Sequence, residues 1–258
     1  MSETVVLVEH RGPIAIVTLN RPNALNALSR ALSDQLIAAF AGLGEDTRVA
    51  ILTGTGRAFC AGADLKELAS QEGRLQGADD VEGAGHTRFG MAAFNGPVIA
   101  AINGFALTGG LELAMNCDIR LASSAAMFAD THARVGVIPG GRMTALLSRL
   151  VGLSRAKELS LSGRMIDAET AERWGLVNRV TAPEDLMDEA LALAEDIARN
   201  DPAIVKAYNS LIDENFGMTY AEAVDHEHIA SRDANQHFRR EALDPAAVAA
   251  RMRAQTAP

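Results

Sequence analysis

The chain is short of the residues that crosslink or decorate a protein. Its 258 residues include two cysteines, one tryptophan and two tyrosines, and aromatic residues make up 4%. Cys60 and Cys117 stand far apart, with no CxxC pair and no zinc-type spacing, so a cysteine-built metal site and a disulfide framework are both excluded. Basic residues are also in deficit, 24 Lys and Arg against 33 Asp and Glu, for a net charge of −9. That balance argues against nucleic acid as a main ligand, because phosphate contacts need a basic surface. No apolar run approaches the roughly 20 residues of a membrane span. The N-terminus, "MSETVVLVEH", begins with an acid and runs straight into a strand pattern, so no signal peptide is expected. The economical expectation is a reduced, cytoplasmic protein without metal. The chain is long enough for a sizeable core, and 48% hydrophobic and 22% charged residues suit an ordinary globular fold.

"TVVLVEH" and "IAIVTLN", on either side of a turn at residues 11–13, alternate with period 2 and predict a strand pair. Ser29 stands as a cap before a helical stripe of Leu32, Leu36, Ile37, Phe40 and Leu43. "VAILTG" (49–54) reads as a buried strand ending in glycine, followed by a loop, "TGRAFCAG", and a helix start at "ADLKELA". The same order returns with "VIAAING" (98–104), the loop "FALTGG" and the helix "LELAMNC", and a third strand, "IRLASS", comes directly after. Strand, turn and helix recurring without a fixed residue code suggest a stacked or spiral α/β arrangement. Between the two units, residues 70–90 are polar and glycine-rich and read as a mobile surface loop. From Pro183 onward the pattern is helical, over 183–200, 202–214, 219–242 and 245–253. The expected division is an α/β core over 1–200 and a helical region over 201–258, which would pack on the main body or on a neighbouring subunit.

The two repeated turns are where chemistry is expected. In "CAGADL" and "LTGGLE" small residues precede a helix start, where backbone N–H groups lack internal partners and a ligand can approach closely. If the turns face each other, the N–H groups of Ala63 and Gly109 could hold one oxygen that gains negative charge, with each donor contributing on the order of 3 kcal/mol. Ordinary tight strand-to-helix turns are the alternative. Glu112, a lone acid in the apolar run 104–116, then falls on the first helical turn after Gly109, with Thr108, Met115 and Asn116 on its face. An acid there either answers the helix dipole alone or moves a proton beside the oxyanion.

"LNRPNALNAL", "RAFCAGADLKEL", "GPVIAAINGFALTGGLELAMNCDIRLAS" and "FADTHARVGVIPG" occur in an order that resembles the crotonase (enoyl-CoA hydratase/isomerase) family, across residues 1 to roughly 200. The resemblance implies an α/β fold, a crotonase-like spiral of ββα units with a C-terminal helical trimerisation region, assembled as a homotrimer or a dimer of trimers. It implies an acyl-CoA thioester as ligand, so that coenzyme A arrives as part of the substrate and no separate cofactor is needed. It also implies a lyase of fatty acid metabolism that adds water across the 2,3 double bond of a 2-enoyl-CoA. Ala63 and Gly109 would form the oxyanion hole, and Ala61, Asp64, Leu65 and Lys66 would line the CoA site with Ala24 and Leu25 nearby. Glu112 matches the first catalytic glutamate.

The second glutamate is missing. Counting back from Pro139 in the segment that ends "GVIPG", its place is taken by His132. An imidazole, with an unperturbed pKa near ~6.5, could share the acid–base work or merely hydrogen-bond at the pocket edge. Asp130, two residues earlier, could turn inward, but its place after "MF" reads better as a helix cap. The substitution keeps an isomerase, a thioester hydrolase and a catalytically weak acyl-CoA-binding protein as alternatives. Elsewhere, His226 and His228 fall on different helix faces, which disfavours a metal pair, and His86 reads as solvated. Lys66 and Arg88 are candidates for CoA phosphates, Cys117 reads as core, Trp174 reads as an anchor, and "HFRRE" (237–241) as a charged helix face.

Overall fold

The computed structural model describes residues 3–70 and 88–236, so most of the expected surface loop, His86 and the chain from residue 237 onward lie outside the described residues. The chain divides into two compact units between Val205 and Lys206. In the first, β1 (Val6–Arg11) and β2 (Ile14–Leu19) pair antiparallel, with Val6 opposite Leu19 and Arg11 opposite Ile14. The sheet continues in parallel through β3 (Val49–Gly54), β5 (Val98–Ile102), β7 (Ile119–Ser123) and β10 (Arg179–Thr181).

A second, smaller sheet runs alongside. β4 (Ala58–Cys60), β6 (Phe105–Leu107) and β8 (Met127–Ala129) are parallel neighbours, and β9 (Ile166–Asp167) closes the row antiparallel. β4 and β6 fall inside stretches whose sequence reads as loop. Three residues are too few to display an alternating pattern, and these become strands only because an adjacent turn of the chain offers a partner. Each turn of the chain therefore adds one strand to each sheet and then a helix: β3, β4 and α2 (Leu65–Ser70); β5, β6 and α3 (Gly109–Met115); β7, β8 and α4 (His132–Val135). This is the expected spiral of ββα units.

Burial on both faces explains why the strands of the larger sheet are apolar throughout. Ala50, Leu52, Ala100, Ile102 and Ala122 face one core together with Phe40, Phe59 and Phe128. Val49, Ile51, Ile99, Ala101 and Leu121 face the other, covered by α8 (Leu186–Ala198) through Leu186, Ala190, Ala194 and Ala198. Three alanines at i, i+4, i+8 let that helix lie close to the sheet. On α1 (Arg30–Ala41) the Ser29 hydroxyl accepts the Leu32 N–H as expected, and Leu32, Leu36 and Phe40 are buried. Ile37 is instead 47% exposed, because it lies a step of about 100° around the helix from Leu36 and beyond the packed stripe. Trp174, at the end of α7 (Ala168–Trp174), packs against the core under the Arg155 guanidinium, 5.5 Å from its ring centroid.

α9 (Pro202–Phe216) spans the unit boundary, and α10 (Tyr220–Asn235) opens with a reciprocal capping box between Thr219 and Glu222. In the second unit His226 Nδ1 hydrogen-bonds Asn215 Oδ1 at 2.8 Å, while His228 is exposed, so the two histidines do not converge. Among the described residues no group of three or more His, Cys, Asp or Glu could hold a metal ion, and no helix is long and apolar enough to cross a membrane.

Candidate active site

The turns before α2 and α3 come together. Ala63 forms a parallel bridge with Leu28, in which the Leu28 N–H donates to Gly62 O at 2.7 Å and the Asp64 N–H donates to Leu28 O at 3.1 Å. The flanking residues make those bonds, so the N–H of Ala63 itself is turned to the opposite side. That side faces the start of α3. A Cβ built on Gly109 would stand 3.5 Å from Gly62 Cα and 3.7 Å from Ala63 N. The Gly109 N–H is the first of α3 and has no intrahelical acceptor. Ala63 is exposed and Gly109 buried, so one donor lies at the lip of the site and the other deeper. Neighbouring contacts fix the geometry: a Cβ on Gly110 would fall 1.9 Å from Cys60 O, so only glycine lets α3 seat on β4. Burial pushes the Cys60 thiol up to about 12, which makes it part of the scaffold and no nucleophile.

Glu112 is one helical turn beyond Gly109 and is buried. Its Oε1 accepts the Gly141 N–H at 2.8 Å and the Met143 N–H at 3.4 Å, at the start of α5 (Met143–Val151). Gly141 is pressed between this carboxylate and Phe89: a Cβ there would lie 2.8 Å from Glu112 Oε2 and 2.9 Å from Phe89 Cζ. Burial raises the Glu112 pKa above the ordinary carboxylate range, although His132 and the two backbone N–H groups pull the other way. One oxygen is thus held by backbone, and the other, Oε2, stands 3.9 Å from His132 Nε2.

His132 opens α4 and is also buried. Asp130 does not cap this helix as its sequence position suggests: the residue at the cap is Thr131, and no side chain caps it. The Asp130 Oδ1 instead accepts the His132 backbone N–H at 3.2 Å and lies 2.6 Å from its ring Nδ1. The same carboxylate oxygen thus serves the first N–H of the helix and the imidazole of the residue that carries it. Burial opposes a charge on His132, but the Asp130 hydrogen bond and the Glu112 charge outweigh it and raise its pKa above the usual imidazole value. Burial likewise opposes charge on Asp130, yet hydrogen bonds from His132 and Ser160 hold it below the usual range.

Of the residues expected around coenzyme A, Ala61 donates its N–H to Leu25 O at 3.0 Å, which joins the segment of Ala24 and Leu25 to the first turn. Asp64 is engaged within the protein. It pairs with Arg21 at 2.9 Å and accepts the N–H groups of Lys66 and Glu67. Burial favours its protonated form, but Arg21 and those N–H groups prevail and lower its pKa. Leu65 and Lys66 are exposed on α2, and of Arg88 only the backbone is described. Sequence reasoning overlooked Gly141, Met143 and Phe89 around Glu112. The adjacent glycines after Pro139 were the available signal for a close backbone approach there. Also overlooked was the pair of Thr108 and Thr131, whose hydroxyls lie 2.5 Å apart and tie the second turn to the His132 segment.

The Ala63 and Gly109 amides approach each other beside a buried carboxylate and imidazole on stacked ββα units, an arrangement with the chemistry to hold an oxygen that gains negative charge and to move a proton next to it. The chain belongs to the enoyl-CoA hydratase/isomerase family, whose sequence model matches residues 9–244. It is 42% identical over 230 residues to a probable enoyl-CoA hydratase of Rhizobium meliloti, covering 87% of both chains. It is 43% identical over 220 residues to a short-chain-enoyl-CoA hydratase of Clostridium acetobutylicum, covering 83% of this chain and 82% of the other. The crystal structure of enoyl-CoA hydratase from Bacillus anthracis is similar at a TM-score of 0.79 and 37% identity, over 89% of this chain and 90% of that one.

Proposed function

We propose that this protein is an enoyl-CoA hydratase that adds water across the 2,3 double bond of a 2-enoyl-CoA thioester. The observation that carries the reading is the facing pair of Glu112 Oε2 and His132 Nε2, 3.9 Å apart, one helical turn from the Gly109 amide. That gap is too long for a direct hydrogen bond and short enough for one water to touch both groups. The N–H groups of Ala63 and Gly109 receive the thioester oxygen. Glu112 takes a proton from the water as its oxygen bonds to the β-carbon, and the π electrons move onto the thioester oxygen as an enolate. His132, carrying a proton on Nε2, delivers it to the α-carbon. Transfer of the proton on Glu112 to the imidazole then restores both groups. In this reading Ala61, Ala24 and Leu25 form the near wall of the CoA site, and Lys66, exposed on α2, meets a phosphate.

The same reading includes self-assembly into trimers. Tyr208, Ile212 and Phe216 repeat every four residues along α9 in the second unit and are exposed. The test of function is the ultraviolet absorbance of a conjugated enoyl-CoA mixed with the wild type, Glu112→Gln and His132→Ala. Loss of absorbance with the wild type, abolished in Glu112→Gln and slowed in His132→Ala, is the expected result. Release of free thiol without prior loss of conjugation would instead make the protein a thioester hydrolase.

A further inference from the structure

We propose that Asp130 is a positioning residue of the reaction, committing His132 to carry a proton on Nδ1 so that Nε2 is the single working atom facing Glu112. The proposal rests on the hydratase reading for its kinetics, but its structural part stands without it. The contact between Asp130 Oδ1 and His132 Nδ1 is 2.6 Å, the short distance of a charge-assisted hydrogen bond. An ionised carboxylate only accepts, so the shared hydrogen belongs to Nδ1. The carboxylate has little freedom to turn away: Asp130 is 2% exposed, the same oxygen accepts the His132 backbone N–H, and Ser160 of α6 (Leu153–Ser162) adds a hydrogen bond.

Chemical equivalence gives this arrangement its purpose. A carboxyl group takes up and gives back one proton on one side of the molecule. A free neutral imidazole can place its proton on either nitrogen, and with the proton on Nε2 it has nothing to accept with on the reacting side. Once Nδ1–H is committed to Asp130, Nε2 alternates between a bare acceptor and an N–H donor, one proton in and one proton out. An imidazole held in this way can do a carboxylic acid's work. In the protonation step the Nε2–H bond breaks as the α-carbon–H bond forms with the enolate electron pair, and the imidazole is left neutral with Nδ1–H intact. The charged groups acting on His132 are Asp130 from its own segment and Glu112 from α3. α6, packed against α4, brings Ser160 to Asp130, and Arg134 of α4 is occupied with the Ser162 carbonyl.

The experiment compares wild type, Asp130→Asn, Asp130→Glu and Ser160→Ala by hydration kinetics across pH and by the nitrogen-15 signals of the His132 ring. In Asp130→Asn the side-chain amide can donate to Nδ1 and favour the opposite tautomer. The expected result is a fall in kcat of about 10²–10⁴-fold, the scale seen when a carboxylate–histidine pair loses its charge elsewhere, with KM nearly unchanged. The alkaline limb of the pH profile should move to lower pH, and the ring proton should shift from Nδ1 to Nε2. Asp130→Glu should recover part of kcat, and Ser160→Ala should move the same limb by less. Wild-type kcat, pH profile and ring signals in Asp130→Asn would overturn the proposal. If the wild type hydrates no enoyl-CoA, the hydratase reading fails, and the ring signals still decide: Nδ1–H in the wild type that moves in Asp130→Asn supports the positioning role, and an unchanged tautomer overturns it. Should Asp130→Asn fail to fold, Asp130→Glu and Ser160→Ala carry the same comparison, and an unmoved pH profile in both overturns the proposal.

Discussion

In the proposed hydration Glu112 has to be buried beside an oxyanion and yet exchange a proton, and its two oxygens are held in ways that suit those two demands. Oε1 is fixed by the Gly141 and Met143 N–H groups and Oε2 is turned to His132. Glu112→Gln keeps the shape but cannot accept a proton, so kcat should fall by about 10²–10⁴-fold while an unreactive acyl-CoA analogue binds as before, measured by stopped-flow and by calorimetry. The His132 pKa is raised in the folded protein, so its contribution to stability is complete below about pH 6.5 and is lost as pH rises through the higher folded value. Asp130 works in the opposite sense: its folded pKa is lowered, and its contribution is lost only as pH falls through that value. The melting temperature of the wild type should therefore exceed that of His132→Gln by more at pH 6 than at pH 9. A gap that is the same at both pH values would mean that the imidazole gains nothing from its two acidic neighbours. Glu112 stood out in the sequence as a lone acid at an apolar helix start, and the resemblance to the family pointed to His132 in the place of a second glutamate. The role of Asp130 was not legible there, because local sequence cannot tell a side chain that caps a helix from one that turns back onto a ring two residues on.

At the scale of elements, the second turn is held under strain. Thr108, just before α3, has φ 54° and ψ −113°, a backbone conformation that favours glycine, and its hydroxyl meets Thr131. Such a residue stores about 1–3 kcal/mol of strain. Thr108→Ala keeps the strain and loses the hydroxyl, whereas Thr108→Gly relieves the backbone, so chemical denaturation should find the glycine variant the more stable by about 1 kcal/mol. Gly110→Ala should be far worse, since the new methyl would meet Cys60 O at 1.9 Å and the helix must lift from β4. We expect a loss of about 3 kcal/mol or more, together with loss of activity as Gly109 moves. α1 was legible from its apolar stripe, and β3, β5 and β7 of the larger sheet from continuous apolar runs. β4, β6 and β8 were not, because each is three residues long and is defined by its neighbours in the next turn.

For the whole molecule, the division into two units falls at Val205 and Lys206, and the exposed stripe of Tyr208, Ile212 and Phe216 belongs to the second. Replacing all three with glutamine should shift sedimentation from a trimer toward a monomer while leaving far-ultraviolet circular dichroism unchanged, and a wild type that sediments as a monomer would remove the assembly. The residues alone do not disclose assembly, since an apolar helical stripe looks the same whether its own domain or a second copy covers it. The spiral has one more consequence. Its first turn supplies Ala63, its second Gly109 and Glu112, and its third Asp130 and His132, so the site is written across successive rungs of a ladder whose parallel strands lie about 4.8 Å apart. The rung spacing acts as a ruler: it sets the distance between the two amides before any side chain is chosen. On such a ladder the residue carried by one rung can change, as histidine stands in the place of glutamate in the proposed hydratase site, while the backbone of the other two rungs keeps its position.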